Sequence, residues 1–368
     1  RDGVEWTGPV STTTMGDDTV LAENLKSYET WTCQLFANDD EEAGAPYEVS
    51  AIVQSIFEGW GTIDVSLASS NLFIEGEENK DYSGRAVAWA GDTDGDGTSD
   101  ILVAAPDNDD AGESAGKVYL VRSADVPGVS TVPLNDLAIA WTGAGAGFNL
   151  GGYVQSDALS SAGDIDGDGL DDIMIGEPLY KGSSSTPDGR VYIVKASSIS
   201  AFGSVAIPSI TTADLIIEGP TYGQLGHSVA TLGDVNGGGT TDILVGASNA
   251  SGGRGEAYLF YGESIGTATS LDVDLDASIE FTAESPGDEL GLRVGTAGDI
   301  DADGLPDILV GAPSNDIGSE SRAGRVYLMK ATSLTGTSHP MGLDADWLFN
   351  GGKSNDLAGH ALDTLGDI

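Results

Sequence analysis

Asp164-Ile165-Asp166-Gly167-Asp168-Gly169-Leu170-Asp171-Asp172 runs directly into Ile173-Met174-Ile175-Gly176-Glu177-Pro178. Carboxylates occupy positions one, three and five of the first stretch, a glycine stands at six and a further aspartate at nine. Alternation aims the first three side chains at one point, the glycine permits a sharp turn, and Leu170 at position seven can offer its carbonyl. The pattern reads as an oxygen cage for a hard cation of calcium size.

The same stretch recurs along the chain. Asp92, Asp94, Asp96, Thr98 and Asp100 precede Ile101-Leu102-Val103-Ala104-Ala105-Pro106. Asp299, Asp301, Asp303, Leu305 and Asp307 precede Ile308-Leu309-Val310-Gly311-Ala312-Pro313. A degenerate copy, Asp234, Asn236, Thr240 and Asp242 with Gly238 at position five, precedes Ile243-Leu244-Val245-Gly246-Ala247-Ser248. A fifth begins at Gly366-Asp367-Ile368. The first aspartates stand at 92, 164, 234, 299 and 367, a period of 65 to 72 residues. One acidic turn has the composition of an ordinary solvated Asx-turn; four in phase, each running into an apolar strand, point to calcium. Three sites are expected at full strength, and a weaker fourth at Asp234–Asp242, where only two carboxylates remain. An EF-hand needs a bidentate Glu at position twelve between two helices. Position twelve here is Val103, Ile175, Val245 and Val310, β-branched residues inside strand-like runs. The loop therefore joins two strands.

Around each loop the unit reads as four strands. The first is of the type Gly226-His227-Ser228-Val229-Ala230-Thr231, the second is the Ile-Leu-Val run, and the third is of the type Gly189-Arg190-Val191-Tyr192-Ile193-Val194. The fourth is of the type Ile279-Glu280-Phe281-Thr282. Four antiparallel strands at a fixed period mean propeller blades, with units at 77–142, 143–219, 220–283, 284–350 and, in part, 351–368. The unbroken apolar run places strand two beside the central channel with both faces covered. Tyr119, Tyr192, Tyr258 and Tyr327 read as packing between blades.

Gly-x-x-Val before the loop, Gly-Asp-x-(Asp/Asn)-x-x-Gly within it and (Gly/Ala)-Ala-Pro after it resemble FG-GAP repeats. These build the β-propeller of integrin α-subunits and of many bacterial surface proteins. The resemblance covers about residues 70 to 368 and implies a calcium ion in each hairpin between strands one and two. It also implies seven blades, of which four units and the start of a fifth are present, so the chain is expected to be part of a longer polypeptide. Residues 1–66 lack the repeat. Glu29 to Ala37 and Tyr47 to Val53 alternate like half-buried strands about an Asn38-Asp39-Asp40 turn. They resemble the last strands of an Ig-like repeat of bacterial surface proteins; Cys33 reads as a small core residue, the alternative being one half of a disulfide whose partner lies upstream. The fold class is thus all-β, an Ig-like β-sandwich remnant followed by a propeller over 67–368.

The formal charge of −44 argues against nucleic acid or an anionic membrane surface as partner, because phosphate needs a basic face. A single cysteine makes no disulfide scaffold, and no apolar run reaches membrane-spanning length. No catalytic constellation is present: His227, His339 and His360 stand apart, and no metalloprotease or nucleophile-elbow motif occurs. The expected function is an extracellular or cell-surface calcium-binding propeller, non-catalytic and of bacterial type, serving adhesion or protein–protein assembly. Alternatives are an architectural subunit of a surface filament or sheath, or a non-catalytic module of a larger secreted hydrolase or lyase. The partner is a protein or glycan on the face opposite the calcium loops, or copies of the chain itself. That face gathers the loops at Asp107-Asn108-Asp109-Asp110, Tyr180 to Ser183, Asn249 to Gly253 and Asn315-Asp316-Ile317.

Overall fold

In the computed structural model each apolar run that follows an acidic loop is a strand, as its β-branched composition dictates. The described residues are 73–363, apart from 127–130, 138, 154–155, 183–184 and 202–207, together with the backbone of four short strands before residue 73. Contacts divide the chain into two units, Arg1–Phe73 and Ile74–Ile368. In the first, β1 (Thr19–Val20) pairs with β4 (Ile63–Asp64) and β2 (Thr30–Leu35) pairs antiparallel with β3 (Val49–Gln54). Cys33 stands opposite Ala51 in that register. The Ig-like reading, the Cys33 side chain and the fifth loop at 366–368 lie outside the described residues.

Among the described residues the second unit is a β-propeller array of four blades. Neighbour order within each sheet follows sequence order, inner strand first. The first blade is β6 (Val87–Gly91), β7 (Asp100–Ala105), β8 (Lys117–Val121) and β10 (Ala140–Thr142). The second is β11 (Leu159–Gly163), β12 (Asp172–Glu177), β13 (Arg190–Val194) and β14 (Leu215–Glu218). The third is β15 (Ser228–Gly233), β16 (Asp242–Ala247), β17 (Glu256–Phe260) and β19 (Ile279–Thr282). The fourth is β20 (Arg293–Gly298), β21 (Asp307–Ala312), β22 (Arg325–Met329) and β24 (Trp347–Asn350). All pairings between these strands are antiparallel.

Strand one, not strand two, stands at the inner edge, which corrects the sequence expectation. β6, β11, β15 and β20 lie side by side. They are tied by Val229 N donating to Asp157 O at 2.9 Å and Val294 N donating to Ser228 Oγ at 3.1 Å. The middle of strand two is apolar because it lies between strands one and three of its own sheet and between two blades; every residue of β12 and β16, the carboxylates Asp172, Glu177 and Asp242 at their ends included, is buried. Each core cluster accordingly bridges two blades: Leu102, Val118 and Trp141 of the first pack with Ile173, Ile175 and Tyr192 of the second. Close approach sets one residue type. A Cβ placed on Gly246 would collide with the backbone carbonyl of Gly291 in the next blade.

A further strand was not legible in the repeat. β18 (Ser270–Asp272) runs parallel to β14, and β23 (Ser338–Pro340) runs parallel to β19. Thr142 makes a single parallel bridge to Ser209, and β5 (Phe73–Glu75) pairs with β9 (Thr131–Pro133). In each case the added segment belongs to the connection between strands three and four of the following blade. It covers a fourth strand whose backbone groups would otherwise form an open edge. Among the described residues β24 has no such partner, and all four of its residues are exposed.

Candidate metal centre

The four acidic loops join strand one to strand two in every blade, and their own carboxylates shape them. At position one, Asp164 accepts from Gly167 N, Asp168 N and Gly169 N at 2.7, 3.0 and 2.9 Å. Asp92, Asp234 and Asp299 each take the position-six amide in the same way. At position five, Asp96, Asp168 and Asp303 accept from the amides of Thr98, Leu170 and Leu305 at 2.8, 2.9 and 2.9 Å. The backbone at position six has positive φ in all four loops, at Gly97, Gly169, Gly239 and Gly304, as the sequence required. Position four does too, which the sequence reading missed, and there Ala302 replaces glycine at φ 60°.

Position nine has a second role. Asp100, Asp172, Asp242 and Asp307 are fully buried. One oxygen of each accepts the amide at position two: Thr93 at 3.2 Å, Ile165 at 3.2 Å, Val235 at 2.9 Å and Ile300 at 2.9 Å. The other accepts an amide just past strand three: Ser123 at 3.0 Å, Ala196 at 2.8 Å, Gly262 at 2.8 Å and Ala331 at 2.9 Å. The ninth residue thus braces the loop against the outer half of its blade. Burial, with the neighbouring loop carboxylates adding to it, pushes Asp172 up to about 7 and Asp242 up to about 6, and raises Asp307. A cation in the loop opposes that shift by favouring the ionised form.

Three of the loops gather carboxylates. Asp92, Asp94 and Asp96 each present one oxygen within 4.8 Å of the others, as do Asp164, Asp166 and Asp172, and Asp299, Asp301 and Asp303. An all-oxygen donor set of this spacing fits calcium, which takes six to eight oxygens at about 2.3–2.6 Å. Asp168, Asp100 and Asp307 lie in the same loops but outside those groups. Among the described residues the third loop forms no such group, since Asn236 and Gly238 stand where aspartates stand elsewhere. Two cations sense the negative field: Lys195 Nζ lies 3.3 Å from Asp166 and Lys330 Nζ lies 3.2 Å from Asp301. Neighbouring loops also touch, Asp92 N donating to Asp171 at position eight of the second loop at 2.8 Å.

The strand-three tyrosines are buried, Tyr192, Tyr258 and Tyr327 in the clusters that bridge two blades, and each hydroxyl donates to a carboxylate that the repeat pattern did not reveal. Tyr119 donates to Glu77 at 2.5 Å, Tyr192 to Glu177 at 2.6 Å, Tyr258 to Glu256 at 2.5 Å and Tyr327 to Glu284 at 2.8 Å. The partner comes from the loop between blades in the first and fourth, from the end of strand two in the second, and from strand three itself in the third. Sequence alignment of the units hides this because only the hydroxyl's need is constant. On the face opposite the metal loops, Asn108 Nδ2 donates to Asp81 and Asn315 Nδ2 to Asp288, both at 2.8 Å, so connecting loops are pinned to the preceding between-blade loop.

The description FG-GAP repeat matches residues 83–121, 158–194 and 291–329, the first, second and fourth units. Integrin alpha-PS2 of Drosophila melanogaster is 28% identical over 265 residues, covering 69% of this chain and 17% of that protein. Integrin alpha pat-2 of Caenorhabditis briggsae is 31% identical over 242 residues, covering 64% of this chain and 18% of that protein. A phosphatidylinositol-glycan-specific phospholipase D of Dictyostelium discoideum is 27% identical over 233 residues, covering 60% of this chain and 24% of that protein. The chain thus spans less than a quarter of the length of each. It carries three matched FG-GAP repeats within four blades of a β-propeller similar to integrin α-subunits.

Proposed function

We propose that the chain is a calcium-stabilised propeller of an extracellular or cell-surface protein, and that it mediates adhesion or protein–protein assembly without chemistry of its own. The observation that carries the reading is the recurrence, in three blades, of three carboxylate oxygens within 4.8 Å of one another. Like charges about 5 Å apart repel by roughly 3 kcal/mol at an effective dielectric near 20, less where solvent screens them. Asp92, Asp94, Asp96, Asp100 and Thr98 carbonyl would hold the first ion; Asp164, Asp166, Asp168, Asp172 and Leu170 carbonyl the second; Asp299, Asp301, Asp303, Asp307 and Leu305 carbonyl another. Calcium titration with thermal melts is the test. A chelator should lower the melting temperature by several degrees and added calcium should restore it. An unchanged melt would remove calcium from the account.

The similarity to integrin α-subunits supports adhesion, with a protein or glycan partner on the face opposite the metal loops. Alanine at the exposed Asp109 and Asp316 should weaken capture of the fluorescent chain on cells or glycan arrays, whereas Asp303→Asn should act only through stability. Equal losses from both would place binding elsewhere. The similarity to a phospholipase D supports a second reading, a non-catalytic module of a larger hydrolase. Lipid-anchor cleavage by the polypeptide that contains this propeller would favour it.

A further inference from the structure

On the face opposite the metal loops, a pocket of about 570 Å³ lies between the loop that enters the fourth blade and the connection between that blade's second and third strands. Its volume falls within the roughly 300–1,000 Å³ of small-molecule sites. Its lining includes Glu284, Pro286, Asp288, Glu289, Asp316 and Arg322. Asn315 also lines it and is 2% exposed. Nδ2 of Asn315 donates to Asp288 at 2.8 Å, but Oδ1 is buried with no hydrogen-bond partner. A buried acceptor without a donor is destabilising until some N–H or O–H reaches it.

The first blade shows what leaves this oxygen open. There Asn108 holds the equivalent place and donates to Asp81 in the same way, yet its Oδ1 accepts from Asp110 N at 3.1 Å. The fourth-blade connection, Pro313 to Gly324, is one residue longer than Pro106 to Gly116. Ile317 stands where Asp110 does, and its amide donates to Glu320 O at 2.9 Å instead. The side chain differs as well: Asp110 pairs with the buried Lys117 at 2.7 Å, a contact that Ile317 cannot make. The lining then selects a class of guest. Among the described residues no three acids of this pocket bring oxygens within 4.8 Å of one another, so it is not built around a bare cation. Its four carboxylates repel an anion. Arg322, which donates and accepts nothing, works against a basic side chain. Hydroxyl groups satisfy both kinds of lining, because each can donate to a carboxylate or amide oxygen and accept from a guanidinium. The ring of Pro286 adds an apolar surface for the C–H face of a sugar.

We propose that this pocket binds a neutral, hydroxyl-rich saccharide of a glycan partner. Asn315 Oδ1 and the carboxylates of Asp288 and Glu289 accept from its hydroxyls, and Arg322 donates to one of its oxygens. The inference rests on the reading that the partner face lies opposite the metal loops, and it names the partner's chemistry there.

The test is an array carrying neutral oligosaccharides, their sialylated counterparts and a peptide rich in Arg and Lys, probed with the fluorescent 368-residue chain in calcium-containing buffer. Neutral oligosaccharides should retain the chain, and sialylated ones at least tenfold less. Arg322→Ala removes the donor, and Ser285→Trp sets an indole in the pocket; both residues are exposed, so the circular dichroism spectrum should not change. Each change should weaken retention by the neutral oligosaccharides at least tenfold. Lys181→Ala, at an exposed position on the same face of the second blade, should leave it unaltered. Oligosaccharide binding that survives both pocket changes would overturn the pocket and leave the partner face standing. Retention by the basic peptide alone, strengthened in Arg322→Ala, would overturn the saccharide in favour of a protein partner. A chain held by nothing on the array yet captured on cells would overturn the saccharide and keep the face, and capture on neither would remove both.

Discussion

Phe281 and Phe349 hold the same register in successive blades, opposite Ala257 and Val326 of their third strands. Phe281 is 0% exposed and Phe349 53%. Neither sequence nor strand geometry separates them. Phe281 lies under β23, whose His339 ring stacks on it at 6.0 Å, while β24 carries no added strand among the described residues. The innermost strands differ likewise: Val229 of the third blade, opposite Val245, is buried, whereas Val87 of the first, opposite Val103 in the same register, is 55% exposed. A blade does not own its core; it shares one with each neighbour. That is the energetic signature of a repeat array, in which interfaces between units carry much of the stability.

The largest expected effect tests that contrast head on. Phe281→Ala should cost about 3–5 kcal/mol and Phe349→Ala less than about 1 kcal/mol in urea melts. Equal losses would mean that β24 is covered in solution. Next in size is a pH effect in the second blade. Burial raises the carboxyl of Glu177 to about 7, against hydrogen bonds from Tyr192 and Ala144 N and the nearby Arg190 that lower it. Below about 4.5 both folded and unfolded states are protonated. As pH rises to 7 the unfolded state loses its proton first, so the group's contribution falls by roughly 3 kcal/mol across that window and is constant above it. Glu177→Gln should flatten the slope between pH 4.5 and 7 in calcium-containing buffer; an unaltered slope would assign the pH dependence to other groups.

A smaller loss sharpens the comparison between the third blade and the first, where Ala104 occupies the place of Gly246. Gly246→Ala should cost about 2 kcal/mol, because the new methyl meets a backbone carbonyl and not a flexible side chain. The smallest effect is a gain. Ala302 sits at φ 60°, where the other three loops have glycine, so Ala302→Gly should stabilise the fourth blade by about 1 kcal/mol. No gain in the melting temperature would show that the loop relaxes around alanine.

The repeat made the architecture legible. Acidic loop, apolar run, Gly-x-Val-Tyr strand and final short strand appear in the structure in that order, because period-two patterning and turn chemistry are local properties. The loops were legible for the same reason: Asp164 and its equivalents shape their turns by contacts within five residues. What the sequence hid is non-local. Strand two was misplaced at the axis because burial between blades produces the same apolar run as burial beside a channel. The parallel strands Ser270–Asp272 and Ser338–Pro340 are three residues long in connecting segments, and nothing but the neighbouring edge selects them. Glu177, Glu256 and Glu284 satisfy one hydroxyl each from three unrelated positions, so no repeat pattern marks them.

The parallel strands also set a schedule for synthesis. Leu215–Glu218 is complete as a fourth strand long before Ser270–Asp272, the segment that covers it, has been made. At about 5–20 residues per second, the roughly fifty residues between Glu218 and Ser270 leave that edge uncovered for about 3–10 s. Each newborn blade thus waits, open-edged, for most of its successor to be translated.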